Sequence, residues 1–137
     1  MKQFLFGLAF AAGVGLIVYI LLGIQPKWVG SSPDGKWEAV LHVGTDSNIK
    51  NRYFGELRWK GTHDEMEQCY ITYLQYRQNG EYAAGDVQGG SVVMPVKEVQ
   101  SFVDFSSKPS KSDKLEVIIH WAEKEKIHKQ TIELYQK

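Results

Sequence analysis

Residues 4–24 (FLFGLAFAAGVGLIVYILLGI) carry no charged side chain, and this run constrains the chain more than any other feature. Twenty-one residues wound as an α-helix extend about 31 Å, which matches the roughly 30 Å hydrocarbon core of a bilayer. A secretory signal has a shorter apolar core, about 7–15 residues, and ends in small residues at its cleavage site. Here the run closes on Leu21-Leu22-Gly23-Ile24, and the single cysteine, Cys69, lies far from it. The expectation is an uncleaved transmembrane signal anchor, with cleavage as the alternative. A buried helix of a soluble protein fits poorly, because no polar residue marks a solvent face.

The organisation expected from this anchor is a short tail (1–3), a transmembrane helix (4–24), a linker (25–36) and one folded domain (37–137). Cations are nearly balanced across the run, with Lys2 before it and Lys27 and Lys36 after it. The layout is nonetheless that of a signal anchor, which places the domain outside the cytoplasm in the cell envelope. Trp28 is then expected at the membrane interface. Within the run, Gly7, Ala11 and Gly15 fall every fourth residue, a small-residue stripe on which two membrane helices can pack closely.

Sixteen basic and sixteen acidic side chains cancel over the 137 residues, but residues 28–137 alone have a net charge of −2. That balance excludes nucleic acid as an expected partner, since phosphate binding needs an excess of Lys and Arg on one surface. One cysteine excludes a disulfide framework and a multi-cysteine metal site. No cofactor is expected.

Beyond the turn-rich stretch 30–36, apolar and polar residues alternate in short runs. Trp37, Ala39, Leu41 and Val43 share one side of 36–43, and Tyr53, Leu57 and Trp59 share one side of 52–60. Residues 68–77 are rich in aromatic and β-branched types, and Asn79-Gly80 after them is the strongest short hairpin signal. A return strand through Tyr82-Ala83-Ala84 follows. Residues 96–105 read as extended, with Val99, Val103 and Phe105 facing one way. Leu115, Val117, Ile119 and Trp121 alternate with Glu116 and His120, and 127–135 returns with Ile132 and Leu134 opposite in parity to Ile127 and Tyr135. Residues 64–79 are ambiguous: a helix capped by Thr62 or Asp64, or, in preference, a strand. The fold expected is all-β, an Ig-like antiparallel sandwich of six or seven strands. Trp37, Trp59 and Trp121 are its core candidates.

Trp28-Val29-Gly30-Ser31-Ser32, with Trp37 opening the next strand, resembles the W-x-G-x-S opening of small membrane-anchored proteins from Bacillus-type bacteria. Trp59-Lys60-Gly61, Ile119-His120-Trp121 and Gln130-Thr131-Ile132-Glu133-Leu134 resemble that group too. Its members lack an established activity, so the resemblance implies location and fold and no catalytic residues.

Chemistry is sparse. His63-Asp64-Glu65 lacks a histidine partner four residues away and reads as a solvent turn. His120 and His128 flank the last turn but make a weak metal pair alone, and Cys69 reads as a small buried side chain. The glycines at 85, 89 and 90 lack the lysine and the strand–helix setting of a phosphate loop. Two features point to binding. Tyr70, Tyr73, Tyr76 and Tyr82 gather around Asn79-Gly80, and tyrosine joins apolar area to a polar tip that suits contact surfaces. Residues 62–107 carry a net charge of −5 and residues 108–137 of +2. The expected function is non-catalytic binding of a protein or cell-envelope component. The alternatives are an envelope hydrolase with scattered carboxylates, and an inhibitory or spacer subunit of a neighbouring membrane protein.

Overall fold

Successive side chains of a strand point to opposite faces, so the alternating runs dictate a sheet with one buried and one solvated face. A computed structural model describes residues 26–44, 52–87 and 93–137. Among these the chain forms strands β1 (Trp28–Ser31), β2 (Trp37–Val43), β3 (Tyr53–Trp59), β4 (Cys69–Gln78), β5 (Glu81–Val87), β6 (Met94–Pro95), β7 (Val99–Ser106), β8 (Leu115–Glu123) and β9 (Lys126–Gln136), with one short helix, α1 (His63–Glu67). No helix among the described residues is long and apolar enough to cross a membrane. Residues 4–24, with Gly7, Ala11 and Gly15, lie outside the described residues.

The strands pair in the order β5-β4-β8-β9-β1-β2-β3-β7, with β6 beside β4, and the pairings are antiparallel. One continuous sheet results, and it curls until β7 comes back against β4 and β5. This near-barrel corrects the expected Ig-like sandwich of six or seven strands. The difference originates in residues 25–36, expected as a linker, which contain β1. That strand pairs with β2 on one side and β9 on the other, and so joins two would-be sheets into one.

The core fills the inside of the curl. Trp37, Leu57, Ile71, Val117, Ile119 and Ile132 are fully buried there. Trp37 meets Trp59 edge-on at 5.0 Å and Trp121 at 5.8 Å, an arrangement that aromatic quadrupoles favour. Trp37 and Trp121 are buried as expected, and Trp59 packs at the margin. Trp28 is 2% exposed and packs edge-on against Tyr53 at 5.8 Å, which corrects its expected place at a membrane interface.

Two segments depart from simple alternation. Val99 is exposed, while Phe102 and Val103 are both buried. The β3–β7 register slips between Gly55 and Glu56, which pair with Val103 and Ser101, so Phe102 is an extra residue turned inward. Residues 64–79 contain both readings in sequence. Thr62 caps α1 by accepting from the Glu65 amide at 3.2 Å, and β4 begins after Gln68. The helix is tied to the β1–β2 turn by Lys36 Nζ and Glu65 Oε2, 2.6 Å apart, and Met66 packs on the core.

The antiparallel path gives the barrel two ends. One holds the start of β1, the β4–β5 turn, the β7–β8 connection and the end of β9. The far end holds the β1–β2 turn, α1, residues 95–98 and the β8–β9 turn.

Candidate functional site

The expected tyrosine cluster is built on β4 and its hairpin. Asn79 and Gly80 take φ of 53° and 80°, the left-handed region that a two-residue hairpin turn requires and that these two residue types tolerate. A bulge interrupts β4: Ile71 pairs with Trp121 and Tyr73 with His120, leaving Thr72 as an extra residue. The bulge reverses the parity of the strand. Tyr70 and Tyr73 therefore share the outer face, and Leu74 and Tyr76 turn inward.

Consequently the four tyrosines do not form one surface. Tyr76 is 1% exposed and packs against Phe102 at 5.3 Å, and so is corrected from partner contact to core residue. Its burial, with the negative charge of Asp113, pushes its phenol up to about 12. Tyr73 is half-buried, stacked on His120 at 4.7 Å; its hydroxyl donates to Gln75 Oε1 at 2.9 Å, which also accepts from Arg77 Nε. Burial, followed by the charge of Lys129, lowers the His120 pKa. Tyr82 is 54% exposed, opposite Arg77 on β5, and donates to the Gly85 carbonyl. Tyr70, 46% exposed, lies near the other end of β4.

Tyr70 has different companions from those expected. The ladders place Pro95 of β6 opposite Tyr70, Tyr70 opposite Ala122 of β8, and Ala122 opposite Ile127 of β9. Pro95 is exposed, Ala122 half-buried, and Ile127 63% exposed. An uncharged, mostly apolar row thus crosses four strands on the outer face, near the far end of the barrel. Ile127 carried a sequence signal, because its parity is opposite to that of the core residues Ile132 and Leu134. Pro95 and Ala122 carried none, since only the register assembles them.

The titratable groups are dispersed. On the outer face of β2 and β3, His42 Nε2 lies 3.4 Å from Glu56, Arg58 lies 3.2 Å from Glu56, and Arg58 lies 3.7 Å from Glu38. Burial raises the Glu56 pKa, but the hydrogen bonds to Arg58 and His42 outweigh it and the net shift is downward. His128 stacks inward on Trp121 at 4.8 Å, whereas its neighbour across the turn, His120, faces outward, so the two do not meet. His63 pairs along α1 with Glu67 at 3.2 Å, and so sits in a helix rather than a turn. Cys69 is buried and donates to the Glu65 carbonyl; burial raises its pKa. Among the described residues no group of three or more His, Cys, Asp or Glu converges as metal ligands do.

The uncharacterized protein YdhH of Bacillus subtilis (strain 168) is 36% identical to this chain over 56 residues, 41% of this chain and 33% of that protein. The chain therefore spans about a third of the relative's length. No solved structure matches the chain. The family model described as a domain of unknown function, DUF4944, matches residues 23–137, most of the sequence, and the chain belongs to that family.

Proposed function

We propose that this is a single-pass membrane protein whose β-domain stands outside the cytoplasm and binds a protein partner, without catalysis, through the outer face of β4, β8 and β9. The observation that carries this reading is the row Pro95, Tyr70, Ala122 and Ile127. A solvated sheet face is ordinarily polar, and large exposed apolar side chains aligned across several strands favour contact with another protein. Tyr70 adds a rigid aromatic anchor of the kind that dominates interface energetics. Anchoring through residues 4–24 would hold the domain at a high local concentration beside membrane partners, so a small interface suffices.

Photo-crosslinking from the full chain in its native membrane tests the reading. A crosslinking side chain at Ile127 is expected to give a discrete protein adduct. The same group at Tyr135, equally exposed on the same strand but at the other end, is expected to give none. Adding Tyr70→Glu should lower the Ile127 adduct about tenfold, as loss of one moderate hot spot does. Equal adducts from both positions would overturn the assignment of this face. No adduct from either would favour a spacer role.

A further inference from the structure

The end of the barrel where β1 begins differs in charge from the far end. Lys27, Arg52, Arg77, Lys108, Lys111, Lys114 and Lys137 lie there, against Glu81, Asp104, Asp113, Glu116 and Glu133 as the side-chain acids of the described residues. Two of those acids are turned away into local bonds. Asp113 accepts from Gln78, Asn79 and the Ser110 amide, and Asp104 accepts from Ser101 at 2.6 Å. Lys114 reaches Glu116 and Glu133 only at 3.7 and 3.9 Å. Lys27, Lys108 and Lys111 are exposed and form no ion pair with a described residue. At the far end the balance reverses: Asp34, Asp64, Glu65, Glu67, Glu98, Glu123 and Glu125 outnumber Lys36, Lys60, Lys97, Lys124 and Lys126.

The tether decides what the basic end faces. The uncharged run stops at Ile24 and β1 starts at Trp28, so only Gln25-Pro26-Lys27 intervene. Three residues reach at most about 11 Å. The Lys27 carbonyl is itself fixed by the Lys137 amide at 2.8 Å, which shortens the free tether further. If residues 4–24 span a bilayer, the start of β1 is held within about one Debye length, roughly 8 Å, of its surface, and the rest of this end is the part of the barrel nearest to it.

We propose that the basic end of the barrel is a headgroup-docking surface, on which Lys27, Lys108, Lys111 and Lys114 bind anionic phospholipid and set the domain upright on the membrane. The inference rests on the membrane-span reading of residues 4–24. A surface potential of about −30 mV favours each nearby lysine by a Boltzmann factor of about three, and four act together. The Pro95–Ile127 row is then presented away from the bilayer, where a partner can reach it.

The test uses the full chain reconstituted in vesicles of phosphatidylcholine alone or with phosphatidylglycerol. Lysines are labelled with a membrane-impermeant acylating reagent, and the sites are read by mass spectrometry. Labelling of Lys111 and Lys114 is expected to fall at least about threefold with phosphatidylglycerol, one lysine's Boltzmann factor, and to recover in high salt. Lys124 and Lys126 at the far end should be unchanged. Lys27→Glu with Lys108→Glu should abolish the protection of Lys111 and Lys114. Alkaline extraction of the same vesicles separates the two readings. A chain that stays integrated yet shows equal labelling in both lipids overturns the docking surface alone. A chain released by alkali overturns the membrane span, and the docking surface with it.

Discussion

Each residue that defines the W-x-G-x-S opening has a geometric task. Trp28 fills the core against Tyr53. Ser32 is buried; its hydroxyl accepts from the Trp37 amide at 3.0 Å and donates to Asp34 Oδ1 at 2.6 Å, which locks the β1–β2 turn. Gly30 lies where β1 crosses β9, and a Cβ there would overlap the Glu133 carbonyl. The obstacle is backbone and cannot rotate aside. Gly30→Ala is therefore expected to destabilise the domain by about 3 kcal/mol, the upper end of overpacking costs, measured by urea unfolding. A change of less than about 0.5 kcal/mol, the scale of an ordinary surface substitution, would show that β1 and β9 separate freely and would remove this account of the motif. In this chain Trp28, Gly30 and Ser32 thus meet a folding requirement, and their arrangement carries no information about a ligand.

At the scale of elements, the sequence was legible where pairing is regular. The β8–β9 hairpin, the Asn79-Gly80 turn and the buried sides of β2 and β3 follow from alternation and turn chemistry alone. It was illegible where an element depends on distant neighbours. The four residues of β1 (WVGS) show little alternation, and only partners on both sides make them a strand. The Thr72 bulge likewise cannot be read locally, yet it decides which tyrosines face solvent. The loop before β8 is a further case. Asp113 accepts from Asn79 and the Ser110 amide, and Lys114 and Asn79 exchange bonds of 2.8 and 2.9 Å, so the loop is fastened to the β4–β5 turn. The Asn79 amide group first, then the Ser110 amide, pushes the Asp113 carboxyl down to about 2. Because the folded value lies below the unfolded one, its contribution is present above the ordinary carboxylate range and is lost as pH falls through about 2. Asp113→Asn should therefore be less stable than the parent near neutral pH, and the gap should close between about pH 4 and pH 2. A gap that stays constant across acid titration by thermal unfolding would contradict this.

For the whole molecule, the main consequence is where the folded unit begins. A sandwich starting at residue 37 would fold without residues 25–36, and its tether would be long enough to let it swing. The near-barrel makes the opposite demand, because β1 is a central strand between β2 and β9. Removing it takes Trp28 from the core, a loss on the scale of a Trp→Ala change, about 3–5 kcal/mol. It also leaves facing edges of β2 and β9 without hydrogen-bond partners, in a domain whose expected total stability is only about 5–15 kcal/mol. A chain beginning at Pro26 is thus expected to unfold cooperatively in urea with native near-ultraviolet dichroism from its buried tryptophans. A chain beginning at Lys36 is expected to lose both. If the shorter chain unfolds with the same midpoint and slope as the longer one, then β1 is dispensable. The sheet would then divide into the two layers that alternation alone suggests, and the short tether proposed to bring the basic end to a bilayer would become a long one.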